Sequence, residues 1–164
     1  MEFYIIGLED RPQPVFSEEV REILKTHRIF SGGKRHAELV ASQLPDDRLW
    51  IDIKVPLQAV FRTYEVYEEI VVFASGDPLF FGFANTIRKF MPEAVIHVYP
   101  CFHSLQTLAH RLILPYQDMH MVSLTGRSWH EFDRALIEGK AKIGVLTDHR
   151  HCLLYTSDAA DDRI

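Results

Sequence analysis

The chain has 164 residues, 47% of them hydrophobic and 25% charged, the composition of an ordinary globular protein rather than a disordered or fibrous one. Its formal net charge of −5 gives no general attraction for phosphate backbones, which argues against a nucleic-acid partner. The opening MEFYIIGLED has neither a basic leader nor a long apolar run, and no stretch approaches the roughly 20 apolar residues that span a bilayer, so a cytoplasmic protein without a membrane partner is expected.

Strands and helices alternate from the start. FYIIGL (3–8) is a short apolar run that ends at Gly7-Leu8 and gives way to a polar loop, as a buried strand does. Ser17 is a good N-cap, Glu18 and Glu19 suit a first turn, and Val20, Ile23 and Leu24 mark a buried helical stripe. RIFSGG (28–33) predicts a second strand. Ala37, Val40, Ala41 and Leu44 then repeat at helical spacing until Pro45 stops them. RLWIDI (48–53) predicts a third strand, followed by a helix carrying Leu57, Val60, Phe61 and Tyr64. IVVFAS (70–75) is continuous in apolar residues, the pattern of a central strand covered on both faces. A helix with Phe80, Phe83, Ala84, Ile87 and Phe90 is expected next, begun by Pro78, then a strand over 94–99 and a helix over 104–113.

Pro115 breaks the pattern, and LPYQD (114–118) is the candidate boundary between an N-terminal half, 1–114, and the start of a second, 118–151. In the second half MHMVSL (119–124) predicts a strand. Ser128 and Glu131 have capping-box spacing, Gly139 ends the helix they open, and KIGVLT (142–147) is another strand. Strands separated by helices of this length imply an α/β fold with a largely parallel sheet. From Cys152 the pattern stops: CLLYTSDAADDRI (152–164) has no helical stripe or strand alternation and resembles translated sequencing adapter, so a non-native tail and a truncated second half are expected.

Ligands of open parallel sheets bind beyond the carboxyl ends of the strands. Of the loops there, Ser75-Gly76-Asp77-Pro78 stands out. Gly76 lets a ligand approach the backbone and Asp77 can accept hydrogen bonds, although Gly-Asp-Pro is also a good turn in its own right. Ser104 is a helix N-cap whose neighbouring N–H groups equally suit a carboxylate. Lys34 and Arg35, with His36, form a small basic cluster, and Arg127 follows the sixth strand beside Gly126. Each suits an acidic substrate, and each is equally an ordinary surface cation. Cys101 and Cys152 form no CxxC pair, and His149, His151 and Cys152 fit no established ligand spacing, so no metal is expected. There is no GxGxxG after the first strand.

SGGKRH (31–36), ASGDPLFFG (74–82), SLQTLAHRL (104–112) and LTGRSWHEFDRALIEGKAKIGVLTD (124–148) together resemble the precorrin-6Y C5,15-methyltransferase family, its C5-methylating part most closely, within the tetrapyrrole methylases. The resemblance implies two α/β halves with S-adenosylmethionine in the cleft between them. Gly76, Asp77 and Phe80 would then line the cofactor's ribose and methionine end, and Ser104 would hold its methionine portion. Gly7 would face the substrate trough, and Lys34, Arg35 and Arg127 would meet the acetate and propionate groups of a precorrin or cobalt-precorrin. The chain departs from the family at Leu8-Glu9-Asp10, where a second glycine is usual, at His103 in place of serine, and at Thr125 in place of histidine. Also implied are C-methylation at C5 in cobalamin synthesis without a strong catalytic base, a homodimer, and a fused or partner C15-methylating decarboxylase. The alternatives are another tetrapyrrole methylase and a non-catalytic α/β module that binds a small ligand.

Overall fold

The computed structural model describes residues 1–9, 11–148 and 151. The chain divides into two compact units, Met1–His103 and the part from Ser104 onward. The expectations for His149, Cys152 and the 152–164 tail lie outside the described residues.

The first unit carries β1 (Glu2–Leu8), α1 (Glu18–Thr26), β2 (Ile29–Gly32), α2 (Lys34–Val40), β3 (Leu49–Asp52), α3 (Leu57–Tyr64), β4 (Glu69–Ser75), α4 (Phe83–Phe90) and β5 (Val95–Tyr99). All strand pairings are parallel, in the order β3-β2-β4-β1-β5. β4 is therefore the middle strand, as its unbroken apolar run implies. Its side chains alternate between two cores. Ile70, Val72 and Ala74 join Phe3 and Ile5 of β1 under α3 and α4, where Val60, Phe61, Ala84 and Ile87 are buried. Val71 and Phe73 join Ile6 and Leu8 under α1 and α2, with Val20, Ile23, Leu24 and Val40. A polar contact inside the first core is closed: the Ser31 hydroxyl donates to Ile51 O (2.7 Å) and lies 2.6 Å from the Tyr64 hydroxyl. Burial pushes Tyr64 up to about 12.

Two local expectations give way and one holds. The stripe from Ala37 to Leu44 is not one helix, because α2 ends at Val40 and Ala41–Gln43 tightens into a 3-10 turn. Pro78 does not begin α4. Residues 78–82 form an irregular loop in which Ala84 N donates to Pro78 O (3.2 Å) and Asn85 Nδ2 to Leu79 O (2.8 Å), so Phe80 falls ahead of the helix. Ser17 does cap α1, accepting from Val20 N at 3.3 Å.

The second unit holds α5 (Ser104–Leu112), β6 (His120–Ser123), α6 (His130–Ile137) and β7 (Ile143–Leu146), with β6 and β7 paired in parallel. The division falls ahead of the LPYQD loop, because α5 sorts with β7: Leu105 and Ala109 are buried, and Leu105 lies against Gly144. The Ser128/Glu131 capping box is not formed. The helix starts a residue too late, with Trp129 at the N-cap position and no side-chain cap. Gly139 does close α6 in the left-handed region, its N–H donating to Leu136 O (3.0 Å) while Lys140 N donates to Ala135 O (3.0 Å). Among the described residues no helix is long and apolar enough to cross a membrane.

Candidate functional site

Because all five strands of the first unit run the same way, their carboxyl ends share one edge, and three loops meet there. The β1–β4 register pairs Gly7 with Ala74 and Leu8 with Ser75, and Gly76 N extends the ladder by donating to Leu8 O (2.8 Å). Gly76 turns at φ +64°, a conformation that favours glycine, and a Cβ there would sit 3.0 Å from His103 Cα. Gly7 is needed for a different reason. A Cβ on it would overlap the Gly76 carbonyl oxygen and lie 2.8 Å from Cys101 N. Main chain from the end of β1 and from the loops after β4 and β5 is thus in close contact.

Side chains close around this point. Phe80 stacks on His103 with ring centres 3.6 Å apart and planes 12° from parallel. His103 is 8% exposed; burial holds its imidazole below the usual value, against a weaker opposite pull from Asp77. One Asp77 carboxylate oxygen accepts from Leu79 N (2.8 Å), the turn that the Gly-Asp-Pro sequence suggests. The Cys101 thiol lies 3.5 Å from Gly76 O. Burial, helped by the Glu9 and Asp77 carboxylates, pushes it up to about 11, so it is protonated at neutral pH and a poor nucleophile. Beside Gly7 and Cys101 opens a cleft of about 520 Å³, walled also by Phe16, Ser17, Tyr99 and Glu19. Tyr99 donates to Glu19 across it (3.2 Å).

The structure brings Gly7, Gly76, Asp77 and Phe80 together. Lys34 and Arg35 are exposed in the first turn of α2. Lys34 acts on Asp52, which Lys54 (2.7 Å) and the Trp50 indole (3.0 Å) already hold below its usual value. It is the third residue of that cluster, His36, which reaches the Gly76 loop. Gly33 N donates to its Nδ1 (3.3 Å), which leaves the Nε2 proton for Ser75 Oγ (2.9 Å). The sequence signal was its place three residues after Gly33, a position from which a side chain folds back on the helix start. Ser104 is the first residue of α5 rather than its cap.

In the second unit Gly126 and Arg127 occupy the loop beyond β6. Gly126 turns at φ +63° with open space where a Cβ would be. Arg127 donates from Nη1 to Ser123 Oγ (3.0 Å) and to Thr125 O (3.5 Å). Asp148, beyond β7, accepts from Gly126 N (3.1 Å), from His151 N (2.9 Å) and from the His151 ring (2.8 Å). The sequence marks His151 only as a poor metal ligand, and Asp148 only as the last residue of the 124–148 block.

No protein-family model matches the chain. Among curated proteins it is similar to a decarboxylating precorrin-6Y C(5,15)-methyltransferase of a Sinorhizobium species, with 31% identity over 126 residues, 75% of this chain and 30% of that protein. The chain therefore spans less than a third of that relative's length. Among solved structures it is similar to the cobalamin-biosynthesis precorrin-6Y methylase of Archaeoglobus fulgidus. The TM-score is 0.56 at 18% identity, covering 79% of this chain and 67% of that one, a likeness of fold.

Proposed function

Because the chain belongs to the precorrin-6Y methyltransferase family of the tetrapyrrole methylases, we propose that it is the C-methylating part of such an enzyme, using S-adenosylmethionine to methylate C5 of a precorrin in cobalamin biosynthesis. The observation that carries the reading is the contact of Gly7, Gly76 and Cys101 main chain at the carboxyl edge of the sheet, with the Phe80–His103 stack beside it. The donor set suits the cofactor. Gly76 presents backbone without a side chain, Asp77 supplies carboxylate acceptor capacity for hydroxyl or ammonium groups, and Phe80 offers an aromatic face.

When bound, S-adenosylmethionine would supply its sulfonium methyl to a nucleophilic ring carbon of the precorrin by in-line displacement: the C–C bond would form as S–CH3 breaks, S-adenosylhomocysteine would leave, and the positive charge passed to the ring would be discharged as a proton lost to solvent. The chain's own task is alignment and exclusion of water. Gly76, Asp77, Phe80 and Ser104 bind the cofactor; Gly7 faces the acceptor; and Lys34, Arg35 and Arg127 take its acetate and propionate groups as charge-assisted hydrogen bonds. None of these steps asks for a strong base, in keeping with a protonated Cys101 and a neutral His103 beside the loop. A homodimer and a C15-methylating decarboxylase, fused or separate, complete the proposal. The small share of the decarboxylating relative that the chain matches supports a second activity elsewhere in that protein.

The test is calorimetric titration of S-adenosylhomocysteine into the wild-type chain and Asp77→Ala, followed by turnover with a precorrin and location of the new methyl by NMR. The expected result is a loss of affinity on the order of tenfold for the variant, the worth of a charged hydrogen bond, and a methyl at C5. Unchanged affinity removes Asp77 from the site, a methyl elsewhere overturns the regiochemistry, and a wild-type chain that binds no S-adenosylhomocysteine is a non-catalytic module.

A further inference from the structure

In the second unit Asp148 accepts three hydrogen bonds from two other parts of the chain. β6 and β7 are parallel, so the loops that follow them emerge at one edge, and Leu124 N continues their ladder to Leu146 O (2.8 Å). Beyond that bond the two loops are joined through one carboxylate. Its Oδ2 accepts from Gly126 N and its Oδ1 from both the backbone and the ring of His151. Trp129, at the start of α6, packs edge-on against the same His151 ring at 5.5 Å. The Asp148 and His151 side chains are about 20% and 19% exposed.

The bond to Gly126 fixes the residue directly before Arg127, at the one position of that loop where the backbone turns at positive φ. Nothing packs on Gly126 from the side, since a Cβ there would meet no atom within 4 Å. The Asp148 bond, together with the turn bond from Arg127 N to Leu124 O (3.1 Å), sets the direction in which the loop leaves β6. Arg127 is held to the same strand end through Ser123 Oγ, a buried hydroxyl, and Thr125 O.

We propose that Asp148 is a positioning residue for substrate: by clamping the Gly126 amide it orients the Arg127 guanidinium toward the carboxylates of a tetrapyrrole, with His151 and Trp129 buttressing the clamp. This rests on the reading of Arg127 as a carboxylate-binding residue of the proposed methyltransferase. A fixed guanidinium binds a carboxylate with less ordering cost than a mobile one, so the contribution of Asp148 is seen only through Arg127.

The experiment measures two ligands on the full chain: uroporphyrin III, a polycarboxylate tetrapyrrole, by fluorescence quenching, and S-adenosylhomocysteine by calorimetry. Asp148→Ala is expected to weaken uroporphyrin binding about tenfold, the worth of the charged hydrogen bond it removes, with S-adenosylhomocysteine affinity unchanged. The double variant Arg127→Ala/Asp148→Ala is expected to bind uroporphyrin no more weakly than Arg127→Ala alone. Asp148→Asn keeps the volume but has one acceptor oxygen for two clamps, so its affinity should fall between wild type and alanine; this variant carries the test if alanine fails to fold. Additive losses, or wild-type uroporphyrin affinity in Asp148→Ala, overturn the proposal. So does a parallel loss of both ligands in Asp148→Asn, which makes Asp148 a purely structural residue. A wild-type chain that binds S-adenosylhomocysteine but not uroporphyrin overturns the substrate class and this inference together, while leaving the cofactor reading in place.

Discussion

Gly7, near the end of β1, and Gly126, in the loop beyond β6, are both glycines at the carboxyl side of a strand, and different physics requires each. At Gly7 the space is taken: a methyl group would run into the Gly76 carbonyl and the Cys101 amide, which belong to two other loops and cannot rotate away as a side chain does. At Gly126 the space is empty and only the backbone conformation, φ +63°, disfavours other residues. Gly126→Ala is therefore expected to cost about 1 kcal/mol, the penalty of a left-handed L-residue. Gly7→Ala is expected to cost at least about 3 kcal/mol, the upper range for overpacking, because two rigid loops must move. Urea unfolding of the two variants checks the order, and equal losses would mean that the Gly7 contact relaxes freely.

Elements follow their own rules, and the caps illustrate how far sequence reaches. Ser17 sits before an acidic first turn and an apolar stripe, and the structure uses it as that pattern suggests. Ser17→Ala should cost α1 about 1 kcal/mol, the usual worth of an N-cap, measured as a lowered unfolding midpoint; no change would show that the turn Phe16–Ser17 is held without the hydroxyl. Ser128 has equally good spacing to Glu131 and caps nothing, since α6 begins at His130. The difference is tertiary, with Trp129 packed against Phe132 and His151. The same contrast runs through the site. That β4 is central was legible, because an apolar run of that length has to be covered on both faces. That main chain at Gly7 touches Gly76 and Cys101, that His36 reaches Ser75, or that Asp148 ties two loops was not. Each joins residues from 22 to 94 positions apart, and no local pattern encodes such a distance. Phe80 was read as a helical residue because its spacing to Phe83 and Ile87 fits, but a bond from Ala84 N to Pro78 O holds a loop there instead.

At the scale of the whole molecule the half-buried His36 and the buried His103 set a pH dependence. Burial lowers His36, helped by Arg35, and burial lowers His103, both from a usual value of 6.5. The native chain keeps them neutral while the unfolded chain takes up protons as pH falls through 6.5. Native protein then binds fewer protons, so stability is full above 6.5 and falls progressively below it, toward the lowered folded values. The exposed carboxylates Glu18, Asp52, Asp118 and Glu138 are lowered instead by their cationic partners, so their contribution is lost only at more acid pH, below 4.5 for the glutamates and 3.8 for the aspartates. Urea midpoints at pH 7.5, 6.5 and 5.5 should therefore decline between the last two, and His36→Gln with His103→Gln should flatten that decline. A midpoint that rises on acidification would contradict the neutral state of both rings.

The bond from Gly76 N to Leu8 O carries a consequence beyond geometry. It prolongs the ladder of the central strand one residue into the loop, so the first residue of that loop inherits the opening free energy of β4 rather than that of an exposed turn. The main chain at Gly76 is ordered by the fold itself, so a ligand of the kind proposed would meet a loop whose conformational entropy has already been lost during folding.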